Sequence, residues 1–200
     1  MDGIDWAASA MSAAQERLDI ATGNLANVST DGFRATLAQG SLRAGGVCIT
    51  RVTSEAHGSL RHTGRPFDLA IVGDGVFRLR DARGHVVATR NGAFTRDSSG
   101  VLRDDSGRVV LGLHGAARVP EGATIDASGR VMLAGRQIDR IVSGRDAVVR
   151  CGFLECANVN AIDEMVTVLA AQRSFESAQK VVTSIDGTRQ KSSNDVARIK

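Results

Sequence analysis

Apolar residues recur at alternating intervals of three and four along the first 28 positions: Ile4, Ala7, Met11, Ala14, Leu18, Ala21, Leu25 and Val28. This is heptad a/d spacing, held for nearly four repeats, and it predicts an amphipathic helix. Gln15, Glu16, Asp19 and Asn24 make up its polar side. Gly23 weakens the helix by about 1 kcal/mol relative to Ala. Ser29, Thr30, Asp31 and Gly32 then end it with turn chemistry. Such a seam packs on its own domain or meets a partner helix. The alanines at alternate seam positions allow close approach and favour a partner.

A second seam lies near the other end. Leu154-Glu155-Cys156-Ala157-Asn158-Val159-Asn160 leads into Ile162, Met165, Val166, Leu169, Phe175, Ala178, Val182 and Ile185, a broad apolar stripe at helical spacing. Asn160 is a candidate N-cap, and Asp163 and Glu164 fall in the first turn, where the helix dipole favours acids. Gly187 is placed to stop this helix, and residues 191–200 read as a polar, flexible tail.

Between the seams the period changes to two. Residues 36–46, with Gly40, Gly45 and Gly46, read as a loop or extended crossover. Strands are expected at Val47–Thr53, Phe67–Val72, Val76–Arg80, Val86–Arg90, Val109–Leu113, Thr124–Asp126, Val131–Leu133 and Gln137–Val142. Gly73-Asp74-Gly75 separates two of them as a turn, and Asp81–Gly84 separates another two. Asn91-Gly92 predicts a type I′ hairpin, because both residues accept positive φ. Asp97–Gly100, Asp104–Gly107 and Asp126–Gly129 read as further turns. Short strands with regular turns predict an antiparallel small sandwich or open barrel. The fold class is therefore α+β. Its expected parts are an N-terminal helix and turn (1–35), a central β domain with linker (36–150), a C-terminal helix (151–190) and the tail.

Charge follows the same division. Residues 1–37 carry net −3, residues 38–150 carry +6 from 17 Arg and 11 acids, and residues 151–190 carry −2. A basic middle with acidic ends favours head-to-side packing between copies. It does not argue for nucleic acid, since the Arg residues are interspersed with acids and the three Phe of the middle sit in strand patterns. No stretch approaches the roughly 20 apolar residues of a membrane span. Asp2 and Asp5 interrupt the N-terminus, so no cleaved secretory signal is expected.

Candidate chemistry is sparse. Cys48, Cys151 and Cys156 show no CxxC spacing and read as reduced, buried thiols. His57, His62, His85 and His114 are scattered, with no metal-ligand spacing. Gly73-Asp74-Gly75 lacks the third Gly, the Lys-Ser/Thr pair and the following helix of a phosphate loop. The Asp-rich turns lack the closing Glu of a calcium loop. No nucleophile motif is present. Neither a catalytic site nor a cofactor is expected.

Three motifs in order carry a resemblance. They are Asn24-Leu25-Ala26-Asn27 followed by Thr30-Asp31-Gly32-Phe33-Arg34-Ala35; Thr63-Gly64-Arg65-Pro66-Phe67 with Gly73-Asp74-Gly75-Val76-Phe77 and Thr89-Arg90-Asn91-Gly92-Ala93-Phe94; and Leu154-Glu155, Asn158-Val159-Asn160, Glu164-Met165-Val166 and Ala171-Gln172-Arg173-Ser174-Phe175-Glu176. Over about residues 5–188 the chain resembles the flagellar rod and hook family, the axial proteins of the bacterial flagellum. Within it the chain looks most like a proximal rod subunit, with a distal rod or hook-type subunit as the alternative. Cys156 stands where the family commonly has Ser.

The resemblance implies that the two terminal helices pair as an antiparallel coiled coil in an inner tubular layer, with the β domain outside. It implies partners too: copies of the chain, other rod and hook proteins, and the flagellar type III export apparatus. It places the protein in the basal body, in the periplasmic space. The implied inner seam is Met11, Leu18, Leu25, Met165, Leu169, Phe175 and Val182, with Gln172 alongside. Asn27, Gly32 and Phe33 would redirect the chain, and Asn158 and Asn160 would bond backbone at the second entry. Two readings from other classes stand beside this one: a soluble β-domain binding module with a helical hairpin, and a small hydrolase with a hidden site.

Overall fold

The computed structural model describes residues 3–44, 46–144 and 147–198, which fall into two units. The first unit contains α1 (Gly3–Ala26), the strands β1 (Thr36–Arg43) and β2 (Gly46–Thr53), and a long helix near the other end of the chain (Ala161–Arg198, here α2). The helices pack together and run in opposite directions. Gly3 lies beside Ile185 at one end, and Asn24 bonds Glu164 at the other. Gly187 does not stop α2. It sits in open space without positive φ, so it forms no C-terminal cap, and its cost of about 1 kcal/mol is too small to break a packed helix. Helix therefore extends through most of the expected tail; Ile199 and Lys200 lie outside the described residues.

The expected loop at 36–46 is mostly strand. Residues 36–43 pair antiparallel with β2 from Thr36↔Thr53 to Arg43↔Gly46. A continuous ladder satisfies the backbone, and that outweighs the poor strand propensity of Gly40. Gly45 lies outside the described residues. The hairpin is tied to α1 by the Val47 amide, which donates to Ser9 Oγ at 3.4 Å, and by the Arg51–Glu16 ion pair. Cys48, on β2, is exposed rather than buried. Cys151, at the end of a strand, is exposed as well.

The second unit comprises Ser29–Arg34 and Ala56–Asn158. In chain order its strands are β3 (Leu60–His62), β4 (Leu69–Val72), β5 (Val76–Arg80), β6 (Val86–Thr89), β7 (Thr95–Arg96), β8 (Leu102–Arg103), β9 (Val109–Gly112) and β10 (Gly115–Ala116). They continue with β11 (Thr124–Ile125), β12 (Arg130–Leu133), β13 (Arg136–Arg140), β14 (Val142–Ser143), β15 (Val148–Cys151) and β16 (Phe153–Glu155). A seven-stranded sheet runs β14-β5-β9-β8-β7, with β6 and β10 attached to β5 and β9; β11-β12-β13 form a second sheet. All pairings are antiparallel. The segment from residue 151, expected as helix, begins as strand. β15 pairs with β4 and β16 with β3, so the unit's entry and exit are zipped together. Leu69, Ile71, Phe77, Leu79 and Leu102 are buried at its centre, and Phe77 meets Phe94 edge-on at 5.0 Å.

Asn91-Gly92 is not a hairpin. Neither residue has positive φ. The Gly92 carbonyl accepts from the Leu69 amide at 3.0 Å, and a Cβ on Gly92 would strike the Leu69 carbonyl. Glycine is there for a close backbone approach, a requirement that looks the same in sequence as a turn.

The Asp turns share one design. At Asp81, Asp97, Asp104 and Asp126, Oδ1 accepts from the backbone amides two and four residues on. A glycine three residues on adopts positive φ in each. The Ser99 hydroxyl, the Arg103 guanidinium and the Val101 amide hold the Asp97 carboxyl well below its ordinary 3.8. A carboxylate depressed on folding stabilises fully above its unfolded pKa, and that contribution is lost as pH falls through the folded value. Asp97→Asn should therefore lower the urea midpoint at neutral pH, and the gap from wild type should close only in strong acid, well below pH 3.8. Urea titrations of both proteins across the acid range check this.

Candidate assembly interface

The seam residues of α1 lie on its packed side. Ala7, Ala14 and Ala21 are buried, and Met11, Leu18 and Leu25 are half-buried. On α2 the broad stripe divides into two faces. Glu164, Val168, Ala171, Phe175, Ala178, Val182 and Ile185 are buried or half-buried, again at alternating intervals of three and four, as expected for the side that packs on α1. Ile162, Met165, Val166 and Leu169 point elsewhere and are 72%, 53%, 61% and 55% exposed. Gln172 is exposed too. Met165 and Leu169 thus share an open face, apart from Phe175 and Val182.

Asn24, placed on the polar side by the periodicity, is 2% exposed. Its Oδ1 accepts from the Thr36 amide, and its Nδ2 donates to the Thr36 carbonyl and to Glu164 Oε1, each at 2.8 Å. One side chain thereby joins the end of α1, the start of β1 and the first turn of α2. The burial is possible because all three bonds are made. Its neighbour Asn27 donates Nδ2 to the Gly23 carbonyl at 2.9 Å. Asn160 caps α2, its Oδ1 accepting from the Ile162 amide at 3.0 Å.

The remaining candidates meet in the second unit. Gly32 has φ 70°, and a Cβ there would overlap the backbone of Arg90 and Asn91. Its amide donates to the Glu155 carbonyl at 2.6 Å. The Phe33 carbonyl accepts from the Asn158 amide at 3.3 Å, and Asn158 Nδ2 donates to the Ala56 carbonyl at 2.7 Å. Asp31 pairs with Arg61 through both carboxylate oxygens. The Asp-Gly-Phe turn is thus docked onto β16 and the chain that follows it.

Beneath that turn lies an ion pair. Arg90 Nε donates to Glu155 Oε2 at 2.6 Å, and both side chains are 3% exposed. The other Arg90 nitrogens donate to the carbonyls of Ile71, Gly73 and Gly75 at 2.6–3.0 Å. Glu155 Oε1 accepts from the Gly58 amide at 3.2 Å. Arg90 and Glu155 had a sequence signal only as members of the quoted motifs; no periodicity marks a buried charge.

The family described as flagella basal body rod protein matches residues 4–34. The C-terminal family of flagellar basal body rod FlgEFG proteins matches residues 151–195, and the flagellar hook protein FlgE/F/G D1 domain matches residues 70–133. These matches fall on α1 with its turn, on β15 to α2, and on the sheet between. The chain is 31% identical to the flagellar basal-body rod protein FlgF of Mesorhizobium japonicum, covering 88% of this chain and 89% of that protein. It is 29% identical to the rod protein FlgG of Bacillus subtilis, over 86% of this chain and 90% of that protein. Its likeness to the hook protein FlgE of Salmonella typhimurium, 35%, covers 53% of this chain and 28% of that one. Terminal helices around a β-rich unit, matched in that order, define a structural protein of the flagellar axis and not an enzyme. The chain belongs to the flagellar basal-body rod protein family.

Two substitutions test the interior of these contacts. Asn24→Ala removes three buried hydrogen bonds and strands the Thr36 amide, so it should cost about 2–3 kcal/mol in urea unfolding. Glu155→Gln leaves the Arg90 charge uncompensated and should cost about 3–5 kcal/mol. Combining Glu155→Gln with Arg90→Met should recover part of that loss, as a double-mutant cycle would read out.

Proposed function

We propose that this rod subunit assembles through its helical unit: α1 and α2 act as an antiparallel coiled coil, and the open face at the start of α2 engages neighbouring copies. Met11, Leu18, Leu25, Phe175 and Val182 close the pair, and Met165 and Leu169 reach outward, with Gln172 beside them. Asn27, Asn160, Gly32, Phe33 and Asn158 fix the chain's path into and out of the helices. The observation that carries this reading is the contiguous apolar face of Ile162, Met165, Val166 and Leu169, each more than half exposed. Leaving such a face in water forgoes about 25 cal/mol for each Å² that a partner would cover. Repeated head-to-side contacts that do not close a ring generate a helical tube, the geometry a torque-carrying rod requires.

The setting is the basal body, on the periplasmic side of the cell envelope. Delivery is through the flagellar type III export channel. Copies of this chain and other rod and hook proteins are its partners.

Leu169→Asp in the full chain tests the reading. The residue is 55% exposed, so circular dichroism and the urea midpoint should stay within about 0.5 kcal/mol of wild type. Cells depending on the variant should lose motility, and the variant should be missing from purified basal bodies. Normal motility would overturn the proposal.

A further inference from the structure

A second candidate surface is the face of β5 opposite the buried core, where Arg78 and Arg80 are exposed. β5 buries Phe77 and Leu79, so Val76, Arg78 and Arg80 face the opposite way. Pairing sets Ala88 and Leu111 on either side of Arg78. A concavity flanks this strip on each side. One is lined by Arg34, Val76, Ala88 and Arg108, the other by Arg78, Leu111 and Arg140. Arg108 is neutralised by Asp104 at 2.6 Å. Arg34, Arg78, Arg80 and Arg140 have no carboxylate within ion-pair distance among the described residues. Moreover, the Nε atoms of Arg34 and Arg140 are buried without any hydrogen-bond partner. Buried donors are almost always paired, so these two guanidinium groups, one lining each concavity, carry hydrogen-bonding capacity that the described residues do not use.

The same sequence holds a complement. Residues 161–172 carry Asp163 and Glu164 and no basic residue, and they include the open apolar face of α2. Asp163 is exposed and has no basic partner among the described residues. Acid beside an apolar stripe matches arginine around an apolar strip. We propose that the arginine-rimmed face of the β5 sheet receives the start of α2 from a second copy, with Val76, Ala88 and Leu111 covering its apolar stripe and Arg78 meeting Asp163. This rests on the structural-subunit reading and names the surface that the open helical face meets. The two contacting surfaces differ, so the contact is heterologous and repeats along a filament.

Charge reversal and exchange in the full chain test it. Arg78→Glu lies on an exposed strand face and should leave circular dichroism and the urea midpoint unchanged. Self-association by sedimentation velocity should fall on the order of tenfold, with motility impaired. Adding Asp163→Arg to the same chain should restore both, because the swapped charges attract again. Wild-type association of Arg78→Glu overturns the inference, and so does a loss that Asp163→Arg fails to rescue. Leu169→Asp separates the two readings. If it abolishes assembly while Arg78→Glu does not, the helical interface stands and only the sheet face is excluded. If neither variant affects assembly, both readings fall.

Discussion

The second unit depends on burying one arginine. Arg90 buries a full charge, 3% exposed, and the surrounding chain is arranged to answer each of its three nitrogens. The Ile71 carbonyl of β4 and the Gly73 and Gly75 carbonyls of the bend after it accept from it, which fixes the Gly73-Asp74-Gly75 bend. The Glu155 carboxylate comes from the far end of the unit, which fixes β16 beside β3. The backbone carbonyl of the same Glu155 then holds Gly32. Segments around residues 32, 58, 72, 90 and 155 are thereby tied to one point. A buried ion pair of this kind adds little net stability over an apolar substitute, but it is intolerant of partial loss. It specifies which segments meet.

Asn24 plays the corresponding part in the helical unit with neutral hydrogen bonds. Its amide presents the same donor–acceptor pair as a peptide group, so it substitutes for a strand partner to Thr36 while reaching Glu164. Each unit is thus organised by a polar side chain at the point where distant segments converge, and apolar packing fills in around it.

What the sequence made legible follows from where the information is local. The 3–4 spacing identified both helices, since period is a property of neighbours. The Asp-x-x-Gly turns were readable for the same reason, because Asp97 bonds amides only two and four residues away. Non-local contacts were hidden. β3, β15 and β16 are short, and pairing across 76 to 95 residues gives them their order. Asn91-Gly92 misled because glycine serves close approach and positive φ alike. Gly187 misled because a long packed helix tolerates one poor residue. Among the candidate seam residues, spacing placed Met11, Leu18 and Leu25 on the packed side of α1. It did not separate the two faces of α2, because leucine and methionine carry no mark of which side they cover.

The pairing of entry with exit has a mechanical consequence. β3 and β16 are antiparallel, and the chain leaves the unit on both sides at the same end, where the Asn158 side chain holds the Ala56 carbonyl. Tension drawing the two crossings apart would load the ladder by peeling, one rung after another, which is the weaker direction for a β pair. Behind the Asn158–Ala56 bond and the Cys156 amide on the Ser59 carbonyl comes the rung Leu60↔Glu155, where Glu155 is anchored from beneath by Arg90. The buried ion pair of the unit therefore sits close to the open end of the zipper, where a pull on the ends would start to work.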